Sequence, residues 1–348
     1  MDIPFSSLLI ASITSYIAIV ILRPFAISIN LLDIPNNRKP HDGKVPLIGG
    51  IAIFIGIVVS ILSSSNDLNQ YNIFLLTSLI LIMIGVLDDH QNISIQLRLI
   101  FQLLVSMIIV TTAGISIESL GNLLGNGEIF LNNWSYFISI IVIIAAINAV
   151  NMADGIHGLA GGSSLITFSS IIFLSFTKVS YESIEIAFLF CAVLPIFLIQ
   201  NLCIGMSKSN RIFMGDAGSM FIGMSIAWIL IDLTQGEGQV FSPVTALWLF
   251  GLPIIEMATT IFRRLSYGKS PFKSDLFHSH HLLIRIGIDK KNTLLLMLLA
   301  SLLFSLIGIL GEKYGVTERV MFFAFILFLV IYIILHSMVL KKIQNTDD

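Results

Sequence analysis

Runs of apolar residues, each about as long as a bilayer is thick, follow one another along the chain with short polar stretches between them. They lie at 5–29, 45–62, 71–87, 97–117, 134–150, 159–179, 184–204, 213–233, 240–262, 294–310 and 320–340. A helix needs roughly 20 mostly apolar residues to cross a membrane. The pattern therefore predicts an all-α integral membrane protein with about 11 transmembrane helices. Glycines interrupt the second and eighth runs, which are the weakest of the set. With no soluble segment, internal repeat or low-complexity tract, 1–348 reads as a single polytopic domain.

Composition agrees. Of 348 residues, 56% are hydrophobic and 11% charged, and mean hydropathy is +0.94. A soluble domain carries about 25% charged residues, so this much apolar surface calls for lipid as its solvent. The net charge is −2 and no basic domain or tail is present, which leaves no footing for nucleic acid. Cys191 and Cys203 share one apolar run and read as buried thiols. MDIPFSSLL lacks a positive leader, and the run that follows is too long for a signal peptide, so it reads as a retained span.

An odd number of spans puts the termini on opposite sides, and lysine and arginine set the direction. Arg38, Lys39, Lys44, Arg98, Lys208, Arg211, Arg263, Arg264, Lys269, Lys273, Arg285, Lys290, Lys291, Lys341 and Lys342 follow odd-numbered spans. Only Lys178, Lys313 and Arg319 fall on the other side. The N-terminus is expected in the periplasm and the C-terminus in the cytoplasm of a bacterial inner membrane protein.

The polar motifs sort the same way. The stretches 31–50 (LLDIPNNRKPHDGKVPLIGG), 85–94 (GVLDDHQNIS), 148–162 (NAVNMADGIHGLAGG), 211–219 (RIFMGDAGS) and 270–287 (SPFKSDLFHSHHLLIRIG) all sit at the cytoplasmic ends of spans. A structural protein has no reason to gather its Asp, Asn and His on one face, whereas a site at the membrane surface does. Asp88 and Asp89 close an apolar helix, where the helix dipole disfavours carboxylates unless a cation offsets it. Paired acids suit Mg²⁺, a hard ion that shares oxygen ligands with substrate phosphates. Asp154 sits in a glycine-rich turn beside Asn148 and Asn151. Asp216 sits in a Gly-Asp-x-Gly turn, weak evidence when taken alone. His278, His280 and His281 lie in a basic loop with Arg263, Arg264, Lys269, Lys273 and Arg285. Zinc, an idle surface, or a cationic wall for phosphates are the readings open to them, and the wall fits the neighbouring bases best. Glu256, inside the ninth span, is an ionisable group at membrane depth and so a functional candidate by position, with a simple ion pair to Arg263 or Arg264 as the other reading.

Taken in order, LDDHQNIS, NAVNMADGIHGLAGG, FMGDAGSMFIG and the loop ending FHSHH resemble the polyprenyl-phosphate N-acetylhexosamine-1-phosphate transferase family over nearly the whole chain. The likeness is nearest to its branch that takes UDP-GlcNAc. The resemblance implies that Asp88 and Asp89 form the acid pair near the metal and the lipid phosphate. It implies that Asp216, with Asp88, ligates Mg²⁺, for which Mn²⁺ can substitute. It places Asp154, His280 and His281 among the catalytic groups, and Asn151, Arg98, Phe213 and His278 on substrate, with Phe213 stacking on uracil. One position departs from the family: the turn NMxDGxDG reads NMADGIHG here. His157 replaces an acid, so it can hydrogen-bond a base edge but cannot give Mg²⁺ an anionic oxygen.

The implied reaction transfers GlcNAc 1-phosphate from UDP-GlcNAc to undecaprenyl phosphate at the head of a cell-envelope polysaccharide such as O-antigen. Another UDP-N-acetylhexosamine is the alternative donor. Membrane lipids are the implied surroundings, and a homodimer is open. A cation-coupled transporter would place its charges near the bilayer midplane and show repeats. An intramembrane aspartyl protease would face two acids within spans and has no use for a basic histidine loop.

Overall fold

The computed structural model describes residues 5–35, 43–64, 68–176, 182–271, 275 and 277–347. Arg38, Lys39, Lys178 and Lys273, and the part of the 31–50 motif at 36–42, lie outside the described residues. Thirteen helices are described: α1 (Phe5–Ser28), α2 (Gly49–Ser63), α3 (Asn72–Gln91), α4 (Ile95–Ile108), α5 (Ser135–Ala153), α6 (Leu159–Ser175), α7 (Glu182–Leu202), α8 (Gly215–Asp232), α9 (Pro243–Leu249), α10 (Gly251–Ser266), α11 (Ser279–Arg285), α12 (Lys290–Lys313) and α13 (Glu318–Asp347). The strands β1 (Leu32–Asp33) and β2 (Val45–Pro46) form a two-stranded antiparallel ribbon, with Leu32 opposite Pro46 and Asp33 opposite Val45.

Each predicted run overlaps a described helix or helix pair, and the chain is a multi-pass, predominantly α-helical membrane protein. Seven helical segments are long and apolar enough to cross a bilayer, or eight if the bent pair α9–α10 counts as one span. The other runs are shorter or less apolar. α2 has 15 residues and α6 has 17, and α8 carries an aspartate at each end, Asp216 and Asp232. Large side chains such as Ile13, Ile21, Leu327 and Ile334 point outward on α1 and α13, as lipid-facing positions should.

The ninth run departs from a straight span. α9 and α10 meet at Phe250 with an 82° bend. Pro253 has no N–H for the carbonyl of Leu249, which would be stranded in an apolar interior. The hydroxyls of Thr167 and Ser305 donate to that carbonyl instead, at 3.0 and 3.2 Å. The break is thus held by the two helices packed against it.

α8 is the axis of the bundle. Nearly all of it is buried, against α5, α3 and α2, as expected of a helix apolar on all sides. Phe221 on α8 meets Phe190 and Phe54 at 5.2 and 5.6 Å between ring centroids. Lipid tails are as apolar as these rings, so close packing and interhelical hydrogen bonds hold the bundle, each bond contributing about 0.6 kcal/mol on average. A Cβ at Gly50 would overlap the backbone of Gly218. The glycines that weaken runs two and eight are therefore the contact between them.

Candidate active site

The N-terminal end of α8 is where the acids meet. Gly49 and Gly50 donate their N–H groups to the carbonyls of Phe213 and Met214 at 2.8 and 2.9 Å, and Phe213 N–H donates to Pro46 at 2.9 Å. The PLIGG stretch thereby runs alongside RIFMGD and fixes where α8 begins. Asp89, at the end of α3, accepts from the backbone N–H of Asp216 at 2.8 Å and of Ala217 at 3.3 Å. Both of its oxygens are committed to holding the start of α8. Asp88 is buried and pairs with Arg98 at 3.0 Å. Asp216 accepts a hydrogen bond from Asn151, whose amide also donates to Ser219 Oγ at 2.9 Å. The Asp88, Asp89 and Asp216 carboxylates stand close enough to act on one another electrically.

The turn after α5 supplies the next wall. Asp154 ends α5 and is exposed. The His157 ring stacks on Phe213, with centroids 4.9 Å apart and planes 28° from parallel, and Arg211 lies 3.4 Å from His157 Nε2. The histidine that departs from the family pattern thus pairs with the aromatic assigned to uracil.

The histidine motif closes the site. His278 precedes α11, with Nδ1 3.2 Å from Thr260 Oγ1, and its ring lies parallel to His280 at 5.6 Å. His280 and His281 approach to 4.2 Å. His280 is 1% exposed, and its Nε2 has no hydrogen-bond partner among the described residues. It packs directly on Gly155, where a Cβ would overlap the imidazole. A buried polar nitrogen without a partner costs about 1–3 kcal/mol, and here that atom faces the Gly155 backbone. Two expected phosphate binders are turned elsewhere. Arg263 and Arg264 both bind Asp275, at 2.9 and 3.0 Å, and Arg264 also donates to the Pro271 carbonyl. They brace the loop instead of lining the site.

Residues 71–234 match the family model described as glycosyl transferase family 4. A protein of Yersinia pestis named undecaprenyl-phosphate alpha-N-acetylglucosaminyl 1-phosphate transferase is 36% identical over 90% of this chain and 86% of its own length. Proteins with the same name are 37% identical in Escherichia coli K12, over 89% and 84%, and 38% identical in Haemophilus influenzae, over 95% and 94%. The chain belongs to glycosyl transferase family 4.

Within this family 4 chain, burial favours the neutral form of the three motif histidines. Burial lowers His281 to about 4, helped by His278 and Arg285 and opposed by Asp275 and Glu256. Burial also lowers His278 and His280, the latter well below the usual range. The folded pKa lies below the unfolded value near 6.5, so the unfolded chain binds more protons between them. Stability is then full above about pH 6.5 and is lost as pH falls toward 4. Melting temperature is expected to drop from pH 7 to 5, and to drop less in His281→Asn; equal slopes in both proteins would contradict this.

Among the described residues no three His, Cys, Asp or Glu side chains form a closed metal site. Mg²⁺ asks for less, since one or two carboxylates plus substrate phosphate usually hold it. Clustered acids with Arg98 as the cation on Asp88 fit that donor set, and His157 stands with Phe213 instead of the acids. Sequence reasoning missed Ser219, Thr260, Tyr332 and His336. Tyr332 and His336 were visible as the two polar residues, at i and i+4, in the otherwise apolar stretch 320–336 of α13.

Proposed function

We propose that this chain transfers GlcNAc 1-phosphate from UDP-GlcNAc to undecaprenyl phosphate and releases UMP, the reaction its relatives' names describe for them. The observation that carries this reading is that residues 151–155 touch both sides of the site: Asn151 bonds to Asp216, and Gly155 packs on the buried His280.

The lipid phosphate has a second pKa near 6, so at pH 7.5 it is mostly dianionic and needs no base to attack the β-phosphorus. The obstacle is bringing one anion onto another. Asp88 and Asp216 would hold Mg²⁺, which supplies charge neutralisation on the pyrophosphate. The chain's own groups do the rest. Phe213 and His157 present ring faces to the uracil, with Arg211 steadying His157. His280 and His281 offer N–H donors to phosphoryl oxygens, with His278 setting their register. Arg98 gives the lipid phosphate a cation beside Asp88, and Asp154 stands at the open side of the turn. Asp89, with both oxygens engaged by backbone N–H groups, positions Asp216 and is a poor candidate for a covalent nucleophile.

In this reading the single domain crosses the bacterial inner membrane eleven times, with the periplasmic N-terminus and cytoplasmic site that the lysine and arginine distribution supports. The short α2 and α6 fit because they are packed inside the bundle. Purified protein in lipid nanodiscs is expected to release UMP from UDP-GlcNAc only when both undecaprenyl phosphate and Mg²⁺ are present. Among UDP-N-acetylhexosamines, UDP-GlcNAc should give the highest kcat/KM. No UMP from any of them would end this reading.

A further inference from the structure

Glu256 is a carboxylate deep in α10 that phosphoryl transfer does not use. It is 8% exposed, and no arginine or lysine bonds to it among the described residues. Its partners lie on the histidine loop and on α13. Glu256 Oε2 accepts the Ser279 N–H at 3.3 Å, and Oε1 accepts the Tyr332 hydroxyl. The Tyr332 hydroxyl also lies 2.6 Å from Ser279 Oγ. A phenol has one proton and a carboxylate has none to give. Glu256 therefore accepts the hydrogen bond that the Tyr332 hydroxyl donates, and the Ser279 hydroxyl, donating to the Tyr332 oxygen, completes a closed triangle. Around it, His336 Nε2 donates to the Phe277 carbonyl at 2.8 Å, and Asp275, clamped by two arginines, accepts the Phe277 N–H at 3.1 Å.

Residues 277–279 are thus tied to two membrane helices just before His280 and His281. A buried carboxylate that loses its partners is strongly destabilising, so these contacts resist displacement of the loop. The residue that follows this braced segment is His280, whose ring packs on Gly155.

We propose that Glu256 and Tyr332 are positioning residues that hold the histidine motif at the depth and register phosphoryl transfer requires. The inference rests on the proposed function for its kinetic part. Its structural part is read independently, by diethyl pyrocarbonate labelling of each histidine, resolved by mass spectrometry on the full-length protein in nanodiscs.

Tyr332→Phe removes one hydroxyl, and Glu256→Leu removes the hub. Glu256→Gln keeps an oxygen for the Ser279 N–H. A misplacement of about 1 Å costs on the order of 10²-fold in rate. Tyr332→Phe and Glu256→Leu are therefore expected to lower kcat about 10- to 100-fold, with KM for UDP-GlcNAc within about twofold, because uracil is held at Phe213 and His157. Glu256→Gln should recover most of kcat. In the two impaired variants His280, protected in the parent, should label faster, with His90 labelling unchanged. Wild-type kcat together with wild-type His280 protection in both variants would overturn the proposal. So would a loss that Glu256→Gln does not rescue and that spreads to all histidines, the mark of a merely unfolding protein. His280→Ala serves as reference. Full turnover there, alongside exposed His280 in Glu256→Leu, would fault the phosphoryl-transfer reading and leave the brace standing.

Discussion

Asp216→Asn is expected to remove turnover, by at least about 10³-fold in kcat, while leaving the protein inserted and no less stable. The rate loss is the size expected when a preorganised charge at a phosphoryl site is neutralised. The stability argument runs the opposite way. Asp216 stands with Asp88 and Asp89 at the start of α8, and the ligand-free protein offsets those charges with Arg98 on Asp88. Asparagine matches aspartate in shape and keeps an oxygen for the Asn151 amide. What it removes is one of several mutually repelling charges. The melting temperature of the ligand-free variant should therefore equal or exceed that of the parent. Activity and stability moving apart would mark Asp216 as a group whose charge serves a ligand. Wild-type turnover in Asp216→Asn would remove Asp216 from the proposed metal site, and a large fall in melting temperature would make it a structural residue instead.

The sequence carried that contrast in part. A Gly-Asp-x-Gly turn shows that an acid opens α8, and the apolar run shows that α8 is a helix suited to burial. Neither shows that Asp89 is turned to cap the same helix, because capping joins residues 127 apart in the chain. Asp88 and Asp89 look equivalent as letters. The fold separates them, giving one an arginine and the other two backbone N–H groups. Arg263 and Arg264 mislead in the same way. Position in a basic loop predicts phosphate binding, but Asp275 lies close enough to claim both. The helical runs were legible because membrane burial imposes length and apolarity on each segment by itself. The bend at Phe250 was not, because a break at Pro253 is tolerable only where distant hydroxyls satisfy the freed carbonyl. Thr167 and Ser305, which do this, have no signature of their own. The glycines of runs two and eight carried information of the opposite sign from their effect on span prediction. They lower hydropathy, and they are what allows α2 to touch the central helix at Gly218.

Gly155→Ala is expected to lower kcat about 10²-fold, although the substitution adds one methyl group at an exposed backbone position. The backbone of Gly155 does not require glycine for its dihedral angles, since it is absent from the positive-φ residues. The obstacle is the His280 imidazole, which occupies the space a Cβ needs. His280 has little freedom to yield. It is buried, it lies parallel to His278, and the backbone just before it is tied to α10 and α13. The methyl group must therefore push α11 outward or push the Asp154 turn away from it, and either shift spoils a pyrophosphate site shared between them. A double-mutant cycle separates this from general damage. His280→Ala removes the ring that the methyl group strikes, so adding Gly155→Ala to it should cost little further activity. Contacting residues characteristically fail to add in this way. If the two losses multiply instead, the methyl group is acting on something other than His280, and the meeting of the histidine motif with the Asn151–Gly155 turn would lose its functional meaning.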